Sequence, residues 1–138
     1  MRTFLEFFAG GGMARAGLGP GWRCLFAYDF DPAKAAAYRE NWGAEDFVEG
    51  DVARLRAADI QGPAAELAWA SFPCQDLSRA GPRKGLAGGR SNAFWPFWRP
   101  LPALREGGRG PRGWVLAHAG GPVAVNAGPQ HFVAKAAI

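Results

Sequence analysis

Pro73-Cys74-Gln75 follows the apolar run Leu67-Ala68-Trp69-Ala70 and is where this chain would present a nucleophile. A thiol attacks as its thiolate, so it needs a place where cations or backbone dipoles can reach it. Proline fixes φ and lacks a donor, so Pro73 suits a strand end and stiffens the approach to Cys74. Ligands of open α/β sheets gather outside the carboxyl ends of the strands, which is where this order of residues puts the thiol. A small hydrophobe at a strand end is the plainer reading of the same cysteine. Two acids upstream add to the pattern. Asp29 comes about 20 positions after Gly10, the separation at which an acid beyond a glycine turn meets a ribose hydroxyl pair. Asp51, in Gly50-Asp51-Val52, would either cap the next helical piece or touch a ligand in the same crevice.

A sheet has to bring these residues together. Thr3 to Phe8 reads as a first strand, largely apolar as a parallel sheet covered on both faces requires. Ala9-Gly10-Gly11-Gly12 follows, then a short helix from Met13 with a glycine stop at Gly19. A strand feeding a glycine-rich turn at a helix start is the layout of a nucleotide-binding βα unit. The spelling departs from G-x-G-x-x-G, so a flexible turn is the alternative. Arg23 to Tyr28 is a second strand ending at Asp29. Asp31 then caps a helix that has Pro32 at its first position and runs through Trp42 to stop near Gly43. Phe47-Val48-Glu49 is a third strand, and a helical piece is expected over Ala53 to Ile60.

Beyond Cys74 the residues 78–91 form a glycine-rich basic loop. Arg79, Arg83, Lys84 and Arg90 would suit a phosphate backbone, against the plainer reading of a solvated loop. Asn92 to Arg99 begins a helix with a large aromatic face, which Pro100 and Pro102 would kink or end early. Trp114 to Ala117 starts a fifth strand. From Gly113 onward the only charged side chain is Lys135, and glycine–proline pairs interrupt any periodicity.

Composition limits the class of protein. An apolar content of 49% with 20% charged residues is that of a globular chain. A formal charge of +4 permits a polyanionic partner without demanding one. Two cysteines make no disulfide framework and two histidines offer little to a metal, so no metal is expected. No apolar run is long enough for a bilayer, and the N-terminus lacks the pattern of a signal peptide. A reducing, cytoplasmic setting is the expectation.

In their order, these motifs resemble the N-terminal part of the DNA cytosine-C5 methyltransferases, over about residues 3–112. The resemblance implies an α/β, Rossmann-like, S-adenosylmethionine-dependent methyltransferase fold with a mostly parallel sheet, incomplete at the C-terminus. Glu6-Phe7-Phe8-Ala9-Gly10-Gly11-Gly12 is similar to the family's first motif, so Phe8, Ala9, Gly10 and Gly12 would contact the cofactor S-adenosyl-L-methionine. Tyr28-Asp29-Phe30-Asp31 is similar to the second, with Asp29 on the ribose and Phe30 flanking the adenine. Gly50-Asp51-Val52 is similar to the third, with Asp51 at the adenine amine, and Pro73 is carried over among the cofactor residues. Phe72 to Ser78 resembles the catalytic motif. There Cys74 would add to C6 of cytosine and make C5 enamine-like, able to take the methyl group. Loss of the C5 proton and of the thiol would then release 5-methylcytosine. The partner implied is double-stranded DNA with a flipped cytosine, contacted by Gln75, Ser78, Arg79, Arg83, Lys84 and Arg90.

The resemblance stops at the fifth strand. The family carries Glu-Asn-Val at its end, where the glutamate engages cytosine N3, and here Ala117-His118-Ala119 stands instead. The expectation is a partial catalytic domain over 1–117, an atypical tail over 118–138 and no target-recognition domain. Such a chain would have weak or no activity alone, unless a complementing C-terminal polypeptide completes it. A reading frame lost near residues 113–120, or a degenerate gene, would account for the change of character. Three other readings remain open: a tRNA cytosine methyltransferase relative, a non-catalytic cofactor- or nucleic-acid-binding remnant, and an NAD-type oxidoreductase built on the strand–glycine–acid pattern.

Overall fold

The computed structural model describes residues 1–71, 97–118, 121–126 and 132–133, the last two segments and His118 as backbone only. Its centre is β1 (Arg2–Phe7), whose last four residues are all buried. Side chains alternate across a strand, so β1 feeds two cores at once. Phe4 packs with Cys24, Ala35, Tyr38 and Phe47 on one face. Leu5 and Phe7 pack with Phe26, Phe97, Leu101 and Leu104 on the other.

β2 (Trp22–Asp29) pairs with β1 in parallel, with one register shift between Phe4 and Leu5. β3 (Phe47–Glu49) lies outside β2, and β4 (Leu67–Ser71) takes the opposite flank of β1. β5 (Gly113–His118) continues the parallel set beside β4. The order β3-β2-β1-β4-β5 reverses direction at β1, and that reversal opens the crevice in which α/β sheets hold ligands. The tail extends the same sheet: β6 (Gly121–Asn126) runs antiparallel to β5, and β7 (Phe132–Val133) antiparallel to β6.

Helices cover both faces, as a parallel sheet demands. α1 (Met13–Leu18) is only six residues long and yields to Gly19 at φ 76°. α2 (Pro32–Trp42) begins as expected: the Asp31 carboxylate accepts from the Ala33 and Lys34 N–H groups, and Pro32 stands at the first turn. α3 (Pro100–Glu106) presents Leu101 and Leu104 to the second core.

One expectation needs correction. Ala53 to Ile60 is not one helix but two 3-10 turns, Val52–Arg54 and Ala57–Asp59, separated by extended backbone at Leu55 and Arg56. Asp51 caps the first turn as an N-cap should, but the Asp59 carboxylate takes the Arg56 N–H that a continuous helix would send to Val52, and such a local bond competes with the helix. The break expected at Pro100 is present: Phe97 and Trp98 are helical, Arg99 is a turn, and Pro100 opens α3, where its missing N–H has no bond to lose.

Candidate cofactor crevice

The turn after β1 is built from backbone conformations that side chains disfavour. Gly10 has φ 55° and Gly12 φ 85°, and Phe8, with a full side chain, also has φ 55°. A non-glycine residue held there costs about 1–3 kcal/mol and persists only where its surroundings fix it. Those surroundings are hydrogen bonds to β2. The Ala9 N–H donates to the Tyr28 carbonyl at 3.0 Å, and the Gly10 N–H donates to Asp29 Oδ2 at 2.8 Å. Asp29 Oδ1 accepts from the Asp31 N–H at 3.0 Å. One buried carboxylate thus ties the glycine turn to the entrance of α2. Each of its oxygens retains a second acceptor position.

Phe30 follows Asp29 and is 63% exposed, a large apolar ring turned to solvent at the carboxyl end of β2. Asp51 is exposed after β3, and its Oδ1 caps the first 3-10 turn through the Ala53 N–H at 2.9 Å. The cap is therefore formed, and the exposed carboxylate still borders the crevice. Gly50 has its own reason: the Tyr28 hydroxyl crosses it to reach the Asp51 carbonyl at 3.0 Å and leaves no space for a Cβ. By contrast, a Cβ built at Gly10 or Gly11 meets no described atom within 4 Å. That open backbone, an acid at the next strand end and an exposed aromatic beside it fit a nucleoside-bearing cofactor.

Glu6 was not singled out from the sequence, and it lies directly beneath the turn. It is 1% exposed, and its Oε1 accepts from the Ala14 N–H at 3.1 Å. Among the described residues its Oε2 has no hydrogen-bond partner. Burial pushes the carboxyl up to about 7, against the smaller opposing pull of the Arg15 and Ala14 N–H groups and the Arg15 charge. With the Ala14 N–H taken by Glu6 and the Gly10 N–H by Asp29, this short helix start is less open to an anion than the sequence pattern suggests. An acid inside an apolar strand was the available signal.

The opposite wall is β4 and β5. Ala70 pairs with Phe7, and Ser71, the last residue of β4, pairs with Ala117. The Trp69 indole N–H donates to Ser71 Oγ at 2.9 Å. Pro73, Cys74, Gln75, Ser78, Arg79, Arg83, Lys84 and Arg90 lie outside the described residues. β5 ends at His118, so Ala117-His118 occupies the strand end where the resemblance asks for glutamate. The other cysteine is plainly structural. Cys24 is fully buried, accepts from the Tyr38 hydroxyl at 3.7 Å, and is pushed up to about 11 chiefly by burial. Among the described residues no group of three or more His, Cys, Asp or Glu side chains could hold a metal, and no helix is long and apolar enough to cross a membrane.

A family model for C-5 cytosine-specific DNA methylases matches residues 2–105. The chain belongs to this family. Type II methyltransferase M.NlaX of Neisseria lactamica is 36% identical over 108 residues, covering 76% of this chain and 34% of that protein. M.BsuFI of Bacillus subtilis is 34% identical over 100 residues, covering 72% and 24%. The chain therefore spans a quarter to a third of the length of these methylases. Among solved structures, the S. pombe Dnmt2 methyltransferase superposes with a TM-score of 0.64 at 25% identity, over 86% of this chain and 36% of that one. The Entamoeba histolytica methyltransferase EhMeth gives 0.65 at 17% identity, over 86% and 38%, a likeness of fold.

Proposed function

We propose that this chain forms the cofactor-binding part of a cytosine-C5 methyltransferase catalytic domain, with Cys74 as its nucleophile. One observation carries the reading: a buried carboxylate, Asp29, pins an open glycine turn while an exposed ring, Phe30, stands beside it. Bound S-adenosyl-L-methionine would supply an electrophilic methyl group. Asp29 would hold the ribose hydroxyls with its remaining acceptor positions, Phe30 would lie against the adenine, and Asp51 would accept from the adenine amine. Phe8, Ala9, Gly10 and Gly12 would line the other end of the cofactor, with Pro73 closing the wall. Cys74 would add to C6 of a flipped cytosine in double-stranded DNA and leave again once C5 has lost its proton. Gln75, Ser78, Arg79, Arg83, Lys84 and Arg90 would hold the nucleic acid.

A binding-only remnant is the second reading, favoured by Ala117-His118 at the end of β5. Calorimetry with S-adenosyl-L-methionine, followed by transfer of a labelled methyl group to cytosine-containing DNA and to tRNA, separates the two. The expected result is cofactor binding that Phe30→Ala weakens, with weak methyl transfer to DNA that Cys74→Ser abolishes. Binding without any transfer selects the remnant. Transfer to tRNA alone replaces the DNA assignment, and binding of NAD in place of S-adenosyl-L-methionine removes the methyltransferase reading altogether.

A further inference from the structure

Trp42, the last residue of α2, stands 31 positions from the glycine turn and closes on it. Its indole N–H donates to the Gly11 carbonyl at 3.0 Å. At the other end of the same peptide unit, the Gly12 N–H donates to the Ala9 carbonyl at 2.8 Å. The Gly11–Gly12 peptide is thus held at both its oxygen and its hydrogen. Gly12 has no room for a Cβ, because the indole Nε1 and Cδ1 occupy that place. The Arg15 guanidinium lies over the indole, 5.2 Å from the ring centroid. Arg15 is itself held by the Tyr38 hydroxyl at 3.0 Å and by Asp46 at 3.6 Å. A ring carried by α2 is therefore held by Arg15 of α1 and by the glycine turn.

A peptide unit between two glycines is the one most free to turn over, since glycine adopts either sign of φ at little cost. Turning it exchanges the directions of the Gly11 oxygen and the Gly12 hydrogen. A ligand on the open backbone would then meet an acceptor where it had met a donor, or the reverse. We propose that Trp42 is a positioning residue for the cofactor: its N–H locks the Gly11–Gly12 peptide in one orientation, so the turn meets S-adenosyl-L-methionine already arranged. This rests on the cofactor reading above and concerns a residue outside every motif that led to it.

Trp42→Phe keeps a ring over Gly12 and beneath Arg15 but removes the hydrogen-bond donor. In a nitrogen-15 NMR spectrum, the indole signal missing from Trp42→Phe identifies that of Trp42. It is expected to exchange slowly with water and to shift when S-adenosyl-L-methionine is added, which a merely structural contact would not do. Trp42→Phe is expected to bind S-adenosyl-L-methionine about 3- to 10-fold more weakly, the size of one lost hydrogen bond. Its melting temperature should fall by less than about 5 °C. Equal affinity of the wild type and Trp42→Phe, or an indole signal unmoved by saturating S-adenosyl-L-methionine, overturns the inference while leaving the cofactor reading intact. A wild type that binds no S-adenosyl-L-methionine overturns both.

Discussion

The two flanks of β1 are held by different forces. Toward β2 and β3, side chains bond to backbone: Glu6 to the Ala14 N–H, Asp29 to Gly10 and Asp31, Asp51 to Ala53, and the Tyr28 hydroxyl to the Asp51 carbonyl. Toward β4 and β5, the described residues meet mainly through apolar packing. Phe7 meets Phe97 edge-on at 4.9 Å, and Trp98 lies 5.4 Å from Trp114. Directional bonds fix loops to fractions of an ångström, whereas packing fixes the separation of whole elements. The β2–β3 side is therefore preorganised at its strand ends. The β4–β5 side is a stable wall whose chemistry depends on what its strand ends carry.

Substitutions on each flank test that division. Phe7→Ala strikes the packed side at its centre and should cost about 3–5 kcal/mol, enough to unfold much of the population in a urea melt. A loss below about 1 kcal/mol would mean that the aromatic cluster is not what joins β1 to the region of α3.

Glu6→Gln should separate the flanks by pH. The folded state holds the Glu6 proton up to about 7, whereas the unfolded chain releases it near 4.5. Stability from this residue is complete below 4.5, falls as pH rises through the window to about 7, and is flat above it. The loss should amount to about 3 kcal/mol, from about 1.4 kcal/mol per pKa unit. Urea melts from pH 4 to 8 should show the slope in the wild type and a much flatter line in Glu6→Gln. Equal slopes would place the titration elsewhere.

Asp29→Ala leaves the Gly10 and Asp31 N–H groups without their acceptor and should cost about 1–3 kcal/mol. It should also accelerate hydrogen exchange at Gly10. Unchanged exchange there would show that the turn does not depend on β2. Asp31→Ala removes only the α2 cap, about 1 kcal/mol. Its effect should appear in the melting temperature with no change in Gly10 exchange.

The polar flank was the more legible one in the sequence, because its rules are local. Asp31-Pro32 announces a capped helix within two residues, and Phe47-Val48-Glu49 is bounded by glycines and acids. The stretch from Ala53 to Ile60 misled for an equally local reason. Its composition is helical, but Asp59 takes the Arg56 N–H that a continuous helix would need. Pro100 was legible because its rule is local too: the helical run at Phe97 and Trp98 breaks at Arg99, and α3 opens on the proline. Glu6 and Trp42 were not legible as site residues. Their bonds span 8 and 31 positions and cross from one element to another, so no periodicity within a single helix or strand marks them.

The burial of Cys24 has a practical consequence. Its thiol sits inside the sheet–helix core and stays protonated at neutral pH, so an alkylating reagent meets it only when α2 parts from β2. The rate at which Cys24 is alkylated in Cys74→Ser would then be a clock for the opening of this half of the molecule. It counts excursions that no equilibrium melt resolves.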